Sequence, residues 1–285
     1  MTPRLSVVIN TLNEERNLEY ALRSVVSWVD EIVVVDMHSE DATAEIARRY
    51  GARVFLHERL NFADPARAFA LSQCRGDWIL MLDADEMVPS RLRTRLLHIA
   101  EHDLADVVNI PWLNFLIGDA LRHTGWGPEQ DKDLRFFKRD ALRATPDIHD
   151  FLKVEPGARV LDLPYEEGIA VYHFNYLDFE HFVGKLNRYT TIEAQQAYAR
   201  AAPYGVGRAV FRAALEFLNR YGRRAGYRDG WRGAYLSLLM AFYRLVTAAK
   251  LHERSVVGDA ETVRAHYREQ AERLLAEYEV REGRR

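Results

Sequence analysis

The chain has a single cysteine, Cys74, in 285 residues. No intramolecular disulfide and no cysteine-based metal cluster can form from it, and on a helical stretch it reads as a small buried hydrophobe. An excess of one charge is lacking too. Lys and Arg total 39 against 42 Asp and Glu, a formal net charge of −3, which argues against a general nucleic-acid-binding protein with its basic footprint. No apolar run reaches the roughly 18 to 20 residues of a membrane-spanning helix; the nearest, 234–249, is interrupted by Arg244. Leu5 to Ile9 is followed at once by Asn10, Asn13, Glu14 and Glu15, so no signal-peptide pattern opens the chain. The expectation is a cytosolic protein, with the cytosolic membrane face as the surface it could touch. Repeats and low-complexity tracts are absent. What is there is an ordinary globular composition, 48% hydrophobic and 28% charged, long enough for one large or two modest domains.

The first hundred residues alternate strand and helix signals. Leu5–Ile9, Glu31–Val35, Arg53–His57 and Trp78–Leu82 read as short buried strands rich in branched apolar residues. Between them, apolar residues at helical spacing (Leu18, Ala21, Leu22, Val25) predict a helix over 17–29. Further helices are expected from Ala42 to Tyr50, with Asp41 as its cap and Gly51 just past its end, from Pro65 to near Gly76, and over 89–102. A strand follows over 106–111. Strands separated by such helices imply right-handed crossovers and a mostly parallel sheet, whose ligands bind beyond the strands' carboxyl ends. That rule selects 10–14, 36–41, 57–64 and 83–86, three of them rich in carboxylates. The stretch from Trp112 to Tyr176 loosens into short strands and loops, and helical spacing dominates from Asp178, with breaks near 203–205 and 222–233.

Three motifs at these strand ends carry chemistry. Asp83-Ala84-Asp85-Glu86 places two carboxylates at i and i+2 on chain leaving a strand, able to converge on one hard cation that keeps its other positions for water and phosphate. The plainer reading is a cap for the helix that follows. Asp36, Ser39, Asp41 and Thr43 follow the second strand, where an Asp can accept from a ribose hydroxyl or a base N–H; a plain turn is the alternative. Thr11, Asn13 and Glu14 end the first strand.

In order and spacing, Leu5-Ser-Val-Val-Ile-Asn-Thr-Leu-Asn-Glu-Glu15, Glu31-Ile-Val-Val-Val-Asp36 with Ser39-x-Asp41-x-Thr43, and Gly76-Asp-Trp-Ile-Leu-Met-Leu-Asp-Ala-Asp-Glu86 resemble the family 2 glycosyltransferases of GT-A fold. Within them the chain resembles the bacterial branch containing the lipopolysaccharide-core β-glucosyltransferases. The resemblance implies an α/β, Rossmann-like GT-A domain with a mostly parallel sheet, a nucleotide-diphosphate-sugar donor (UDP-linked), a divalent cation (Mg or Mn) and inversion at the anomeric carbon. It implies base contacts from Thr11, Asn13 and Glu14, and a uracil or ribose contact from Asp36, with Ser39 in the same turn. It also implies that Arg67 and Asp83 border the donor and that Asp85 is the metal ligand. Ala68 stands where the family usually has Asn after that basic residue.

More thinly, 125–137 resembles a family segment with an Asp four residues before an Arg, which makes Asp131 the general base; Asp133 and Glu129 are the other acids in reach. Ile148-His149-Asp150 resembles an Ile/Val-His-Glu signature, implying His149 at the metal, and His173 resembles a second recurring histidine. The domain reading is 1–110 as the nucleotide-sugar half, 111–177 as the acceptor-side half and 178–285 as a C-terminal helical region.

That last region holds eight arginines and two acids between Arg200 and Arg232, interleaved with Phe211, Leu215, Phe217, Leu218 and Tyr221. A basic amphipathic stretch beside an apolar helix suits an anionic membrane surface; a helical subdomain or dimer interface is the alternative. The partners expected are a sugar-nucleotide donor and a lipopolysaccharide-core or other lipid-linked glycan acceptor, with no nucleic acid. Two other functions are weighed. A sugar nucleotidyltransferase would need a Gly-rich basic phosphate loop after the first strand, and Asn10–Glu15 has neither glycine nor lysine. An inactive partner-binding module would have no use for Asp83, Asp85 and Asp131.

Overall fold

The computed structural model describes residues 3–59, 64–144 and 152–282. Contacts divide the chain into two units, Met1–Leu177 and Asp178–Arg285. In the first, β1 (Leu5–Thr11), α1 (Leu18–Val25), β2 (Glu31–Asp36), α2 (Thr43–Arg49), β3 (Arg53–Leu56), α3 (Asp64–Ser72) and β4 (Trp78–Asp83) alternate as the periodicity predicts. Then come β5 (Glu86–Met87), α4 (Ser90–Glu101), β6 (Val107–Leu116), β7 (Asp119–Ala120), β8 (Lys132–Lys138), β9 (Leu142–Ala144), β10 (Leu152–Val154), β11 (Val160–Asp162) and β12 (Val171–Tyr176).

The main sheet runs β3-β2-β1-β4-β8-β6-β12-β5, with β7 and β11 attached to β6. β1, β2, β3 and β4 are mutually parallel. The central strand β1 is covered on both faces, which is why it reads as an unbroken apolar run rather than an alternating one. Val7 and Ile9 pack with Leu18, Leu22 and Val25 of α1 and Leu92 and Leu96 of α4. Val8 packs on the opposite face with Val33, Val35, Ala70 and Cys74. Gly51, at φ +75°, takes the left-handed turn expected after α2.

β8 departs from the parallel scheme. It inserts antiparallel between β4 and β6. Val108 of β6 lies opposite Phe136, but Asn109 lies opposite Leu134, so the register slips and Arg135 has no rung of its own. Phe136 belongs to the α1/α4 core, whereas Phe137 and Leu134 pack on the other face. The slip therefore turns Arg135 to the side of Phe136, as a bulge re-aims a side chain.

The second unit holds α5 (Phe179–Ala199), α6 (Val206–Phe217), a π-helical turn (Leu218–Arg223), a 3-10 turn (Gly226–Asp229), α7 (Gly230–Val256) and α8 (Ala260–Glu282). Asp178 caps α5, accepting from the His181 N–H at 2.7 Å. Lys250 of α7 donates to Asn187 O at 2.7 Å and to the hydroxyls of Thr190 and Thr191, which ties α7 to α5. α6 sets only a narrow edge, Ala209 and Ala213, inward, and leaves Val206, Val210, Phe211 and Leu215 exposed. On α7, Trp231, Tyr235, Leu238 and Phe242 recur at helical spacing and are also exposed. One finding corrects the sequence reading. The helical run Gly226–Val256 is, by length and composition alone, apolar enough to cross a membrane, because over 233–249 Arg244 is the one charge among Leu, Ala and aromatic residues.

Candidate active site

The carboxyl ends of β1, β2 and β4 lie side by side: Thr11 pairs with Asp36, and Asn10 with Asp83. The loops leaving β1 and β2 are bonded to each other in both directions. The Asn13 N–H donates to Ser39 Oγ at 2.8 Å, and the Glu40 N–H donates back to Asn13 Oδ1 at 2.8 Å. Glu14 N–H reaches Thr43 Oγ1 at 2.8 Å, and Glu15 N–H reaches Asp41 Oδ2 at 3.1 Å. Asn13 sits in the left-handed region at φ 57°, which Asn tolerates better than most residues. Asp36 is buried and accepts from both the N–H and the hydroxyl of Ser39. Thr11, Asn13, Glu14, Asp36 and Ser39 thus form one floor. In it Thr11 Oγ1 and Asn10 Nδ2 are buried with no hydrogen-bond partner among the described residues, an arrangement that a polar ligand would explain.

Next to this floor stands a buried cation. Arg135, with 1% of its side chain exposed, reaches Asp83 at 3.2 Å, Glu86 at 3.3 Å and Asp133 at 3.1 Å. Its guanidinium lies 4.5 Å from the Trp112 ring centre. Arg67 approaches the other side of Asp83 at 3.1 Å, and the Asp83 N–H donates to Glu86 Oε2 at 2.8 Å. Burial works against charge on Asp83, but Arg135 and then Arg67 outweigh it and hold its carboxyl well below the usual range. For Glu86 burial prevails over Arg135, and its pKa is pushed up to about 7.

Asp83 and Asp85 take different partners. Asp83 is engaged by the two arginines, whereas Asp85 Oδ2 faces His173 Nε2 at 3.5 Å. His173 Nδ1 meets Asn114 Oδ1 at 2.8 Å, and Asn114 Nδ2 donates to Asp131 Oδ2 at 2.7 Å and to Trp126 O at 3.0 Å. Burial disfavours a charge on His173, but Asp85, Glu86 and Asp83 outweigh it and raise its pKa. Burial raises that of Asp131, against the hydrogen bond from Asn114. Backbone bonds fix Asp131: its N–H donates to Gly127 O at 2.9 Å, and its carbonyl accepts from Trp112 N–H at 2.9 Å. Gly127 has no room for a side chain, since a Cβ there would lie 2.0 Å from Arg122 O.

Of the three acids on this segment, then, Asp131 faces His173 through Asn114, Asp133 pairs with Arg135, and Glu129 is exposed. His149 lies outside the described residues. The sequence reading used Arg135 only as a spacing marker and passed over Asn114 and Glu86. A charged residue among three consecutive buried positions, Arg135-Phe136-Phe137, was the available signal for the first.

Asp85 and His173 supply an oxygen and an imidazole nitrogen on one side of the site, and a carboxylate suits magnesium or manganese. Among the described residues no group of three or more His, Cys, Asp or Glu gathers to hold a metal. A cation here would complete its shell with water and phosphate oxygens, the usual habit of magnesium. The residues fit such an ion.

The glycosyl transferase family 2 profile matches residues 6–153. An uncharacterised glycosyltransferase of Rickettsia typhi is 28% identical over 260 residues, covering 89% of this chain and 88% of that one. The lipopolysaccharide core biosynthesis glycosyltransferase LpsC of Rhizobium meliloti is 28% identical over 266 residues, covering 89% and 94%. Among solved structures, glucosyl-3-phosphoglycerate synthase of Mycobacterium tuberculosis aligns at 27% identity with a TM-score of 0.33, over 39% of this chain. The chain spans 45% of the length of that synthase.

Proposed function

The chain belongs to glycosyl transferase family 2, and on that premise we propose that it moves a sugar, with inversion, from a UDP-linked donor to a lipopolysaccharide-core or other lipid-linked glycan. The observation that carries this reading is the series Asp85, His173, Asn114, Asp131, in which Asp85 faces His173 at 3.5 Å and hydrogen bonds join His173 to Asn114 and Asn114 to Asp131. In this reading its two ends are a cation-binding carboxylate, Asp85, and a proton-accepting one, Asp131. The LpsC relative supports the acceptor class.

In this reading the nucleoside rests on the floor made by Thr11, Asn13, Glu14, Asp36 and Ser39, which the cross-bonded loops hold ready before binding. Arg67 and Asp83 border the diphosphate side. Asp85 with His173, or with His149, would hold a magnesium or manganese ion, which when bound would supply charge neutralisation to the departing diphosphate. Asp131 takes the proton of the acceptor hydroxyl as that oxygen bonds to the anomeric carbon and the carbon–oxygen bond to the diphosphate breaks. Because attack and departure occur on opposite faces, configuration inverts. Burial suits Asp131 to the task, since a raised pKa makes a carboxylate a stronger base.

The second unit supports a place on the cytosolic face of the inner membrane. The exposed apolar face of α6 lies in a stretch with eight arginines and two acids between Arg200 and Arg232, and the exposed aromatics Tyr235 and Phe242 of α7 follow it. That pairing suits an anionic lipid surface.

The test is a panel of nucleotide sugars with Mg²⁺ or Mn²⁺, scored first by thermal shift, because a ligand of the folded state raises its melting temperature. Nucleoside-diphosphate release in the presence of acceptor lipid extract comes second. Asp131→Asn is expected to lower transfer by about 100-fold or more while leaving donor binding intact, and Asp85→Ala to abolish the cation dependence. Normal turnover in Asp131→Asn refutes the assignment of the base.

A further inference from the structure

Asn114 stands on β6, is buried, and makes three polar contacts with one amide group. Two of them fix which way the amide points. Trp126 O is a backbone carbonyl and can only accept, and an ionised Asp131 carboxylate can only accept, so the NH₂ end must face them. The carbonyl end is then left for His173, and a carbonyl accepts. The ring nitrogen it meets, Nδ1, must therefore carry the hydrogen.

We propose that Asn114 is a positioning residue with two duties: it orients the carboxylate of Asp131, and it holds His173 in the Nδ1–H form, so that the Nε2 lone pair faces the side of the site occupied by Asp85. The proposal rests on the reading of Asp131 as base. One neutral side chain thereby joins the proton-accepting half of the site to its cation-binding half. A hydrogen bond to the distal nitrogen of a ligating histidine fixes its tautomer and orientation, and losing such a partner typically costs about 10- to 100-fold in metal affinity. Asn suits both duties because it donates at one end and accepts at the other. Asp would set a second carboxylate against Asp131, and Leu of similar size would do neither.

The experiment uses the full chain and Asn114→Leu, with Asn114→Ala as a second variant in case Leu fails to fold. Mn²⁺ affinity is titrated without donor, and the pH profile of transfer is recorded. Removing a hydrogen bond that favours the ionised carboxylate shifts the Asp131 titration upward, so the acid limb of the profile moves to higher pH. Loss of activity is then greater at pH 6 than at pH 8, and Mn²⁺ affinity falls about 10- to 100-fold. Asp131→Asn, which keeps Asn114, retains wild-type Mn²⁺ affinity. Independently of any Asn114 variant, ¹⁵N spectra of histidine-labelled wild type without metal, above the titration of His173 and assigned with His173→Gln, show the Nδ1–H tautomer.

An Nε2–H tautomer in wild type, or unchanged Mn²⁺ affinity with a merely scaled pH profile in folded Asn114 variants, overturns the proposal. If Asp131→Asn itself turns over normally, it is the base reading that falls; the tautomer and Mn²⁺ results then stand or fall by themselves.

Discussion

Replacing Arg135 by Met tests the reasoning about the buried cation most directly. The methionine keeps most of the side-chain volume and removes the charge. Arg135 has 1% of its side chain exposed and lies within 3.3 Å of Asp83, Glu86 and Asp133. Asp133 is 40% exposed and can turn to water, and Asp83 keeps Arg67. Glu86, fully buried, loses the guanidinium that pairs with it. Removing one partner of a buried pair costs about 3 to 5 kcal/mol, and at roughly 2 to 4 °C per kcal/mol for a unit of this size the melting temperature falls by about 6 to 20 °C. The deficit depends on pH, with a definite sign. The pKa of Glu86 in the folded chain is about 7 against an ordinary 4.5, so its stabilising contribution is full below 4.5 and lost as pH rises through 7. Without Arg135 that pKa climbs further, and each unit adds about 1.4 kcal/mol to the deficit above pH 7. Urea unfolding of both proteins at pH 6 and pH 8.5 is the assay. A deficit below 1 kcal/mol, or one equal at both pH values, refutes the argument, and Glu86→Gln in the Arg135→Met background is expected to recover part of the loss at pH 8.5.

Further outcomes follow from the same geometry. Gly127→Ala is expected to displace the loop that carries Asp131, since its Cβ meets Arg122 O; transfer falls steeply while donor binding, read by thermal shift, persists. Cys74 is buried, and that burial pushes its thiol up to about 12, so iodoacetamide at pH 8 should leave the native chain unlabelled and modify it only after unfolding. Phe211→Asp with Leu215→Asp should weaken co-sedimentation with vesicles containing anionic lipid and leave soluble-donor hydrolysis unchanged; a drop in oligomer size instead would favour the dimer interface.

Much of the first unit was legible because its chemistry is local. Branched apolar runs such as Ile32-Val33-Val34-Val35 admit little but a buried strand, and the acids beyond them could only fall at the sheet's carboxyl rim. Beyond Pro111 the reading failed for a physical reason. The periodicity ends the strand at Pro111, which has no N–H to give a ladder; the next residue, Trp112, nevertheless donates to Asp131 O, and β6 runs on to Leu116. Asn114 thus falls in a stretch that reads only as short strands and loops. His173 was ranked behind His149 because histidines in sequence carry no sign of which strand end they reach. Only the pairing of β12 with β5, with His173 opposite Glu86, brings it to the acidic motif. Arg135 was hidden by the slip of β8 against β6, since strict alternation along Leu134, Arg135 and Phe136 gives no hint that two successive side chains share a face.

That slip makes the location of the site's central charge a matter of counting. β8 carries one residue more than β6 between the rungs at Val108 and Asn109. Deleting a residue beside Arg135 would make the two strands commensurate and restore even pairing, a shorter and more regular sheet. The same edit would rotate the guanidinium to the far face, away from Asp83 and Glu86. Strand irregularity and catalytic architecture are here one inheritance, so among relatives the length of this segment should tolerate change less readily than its composition.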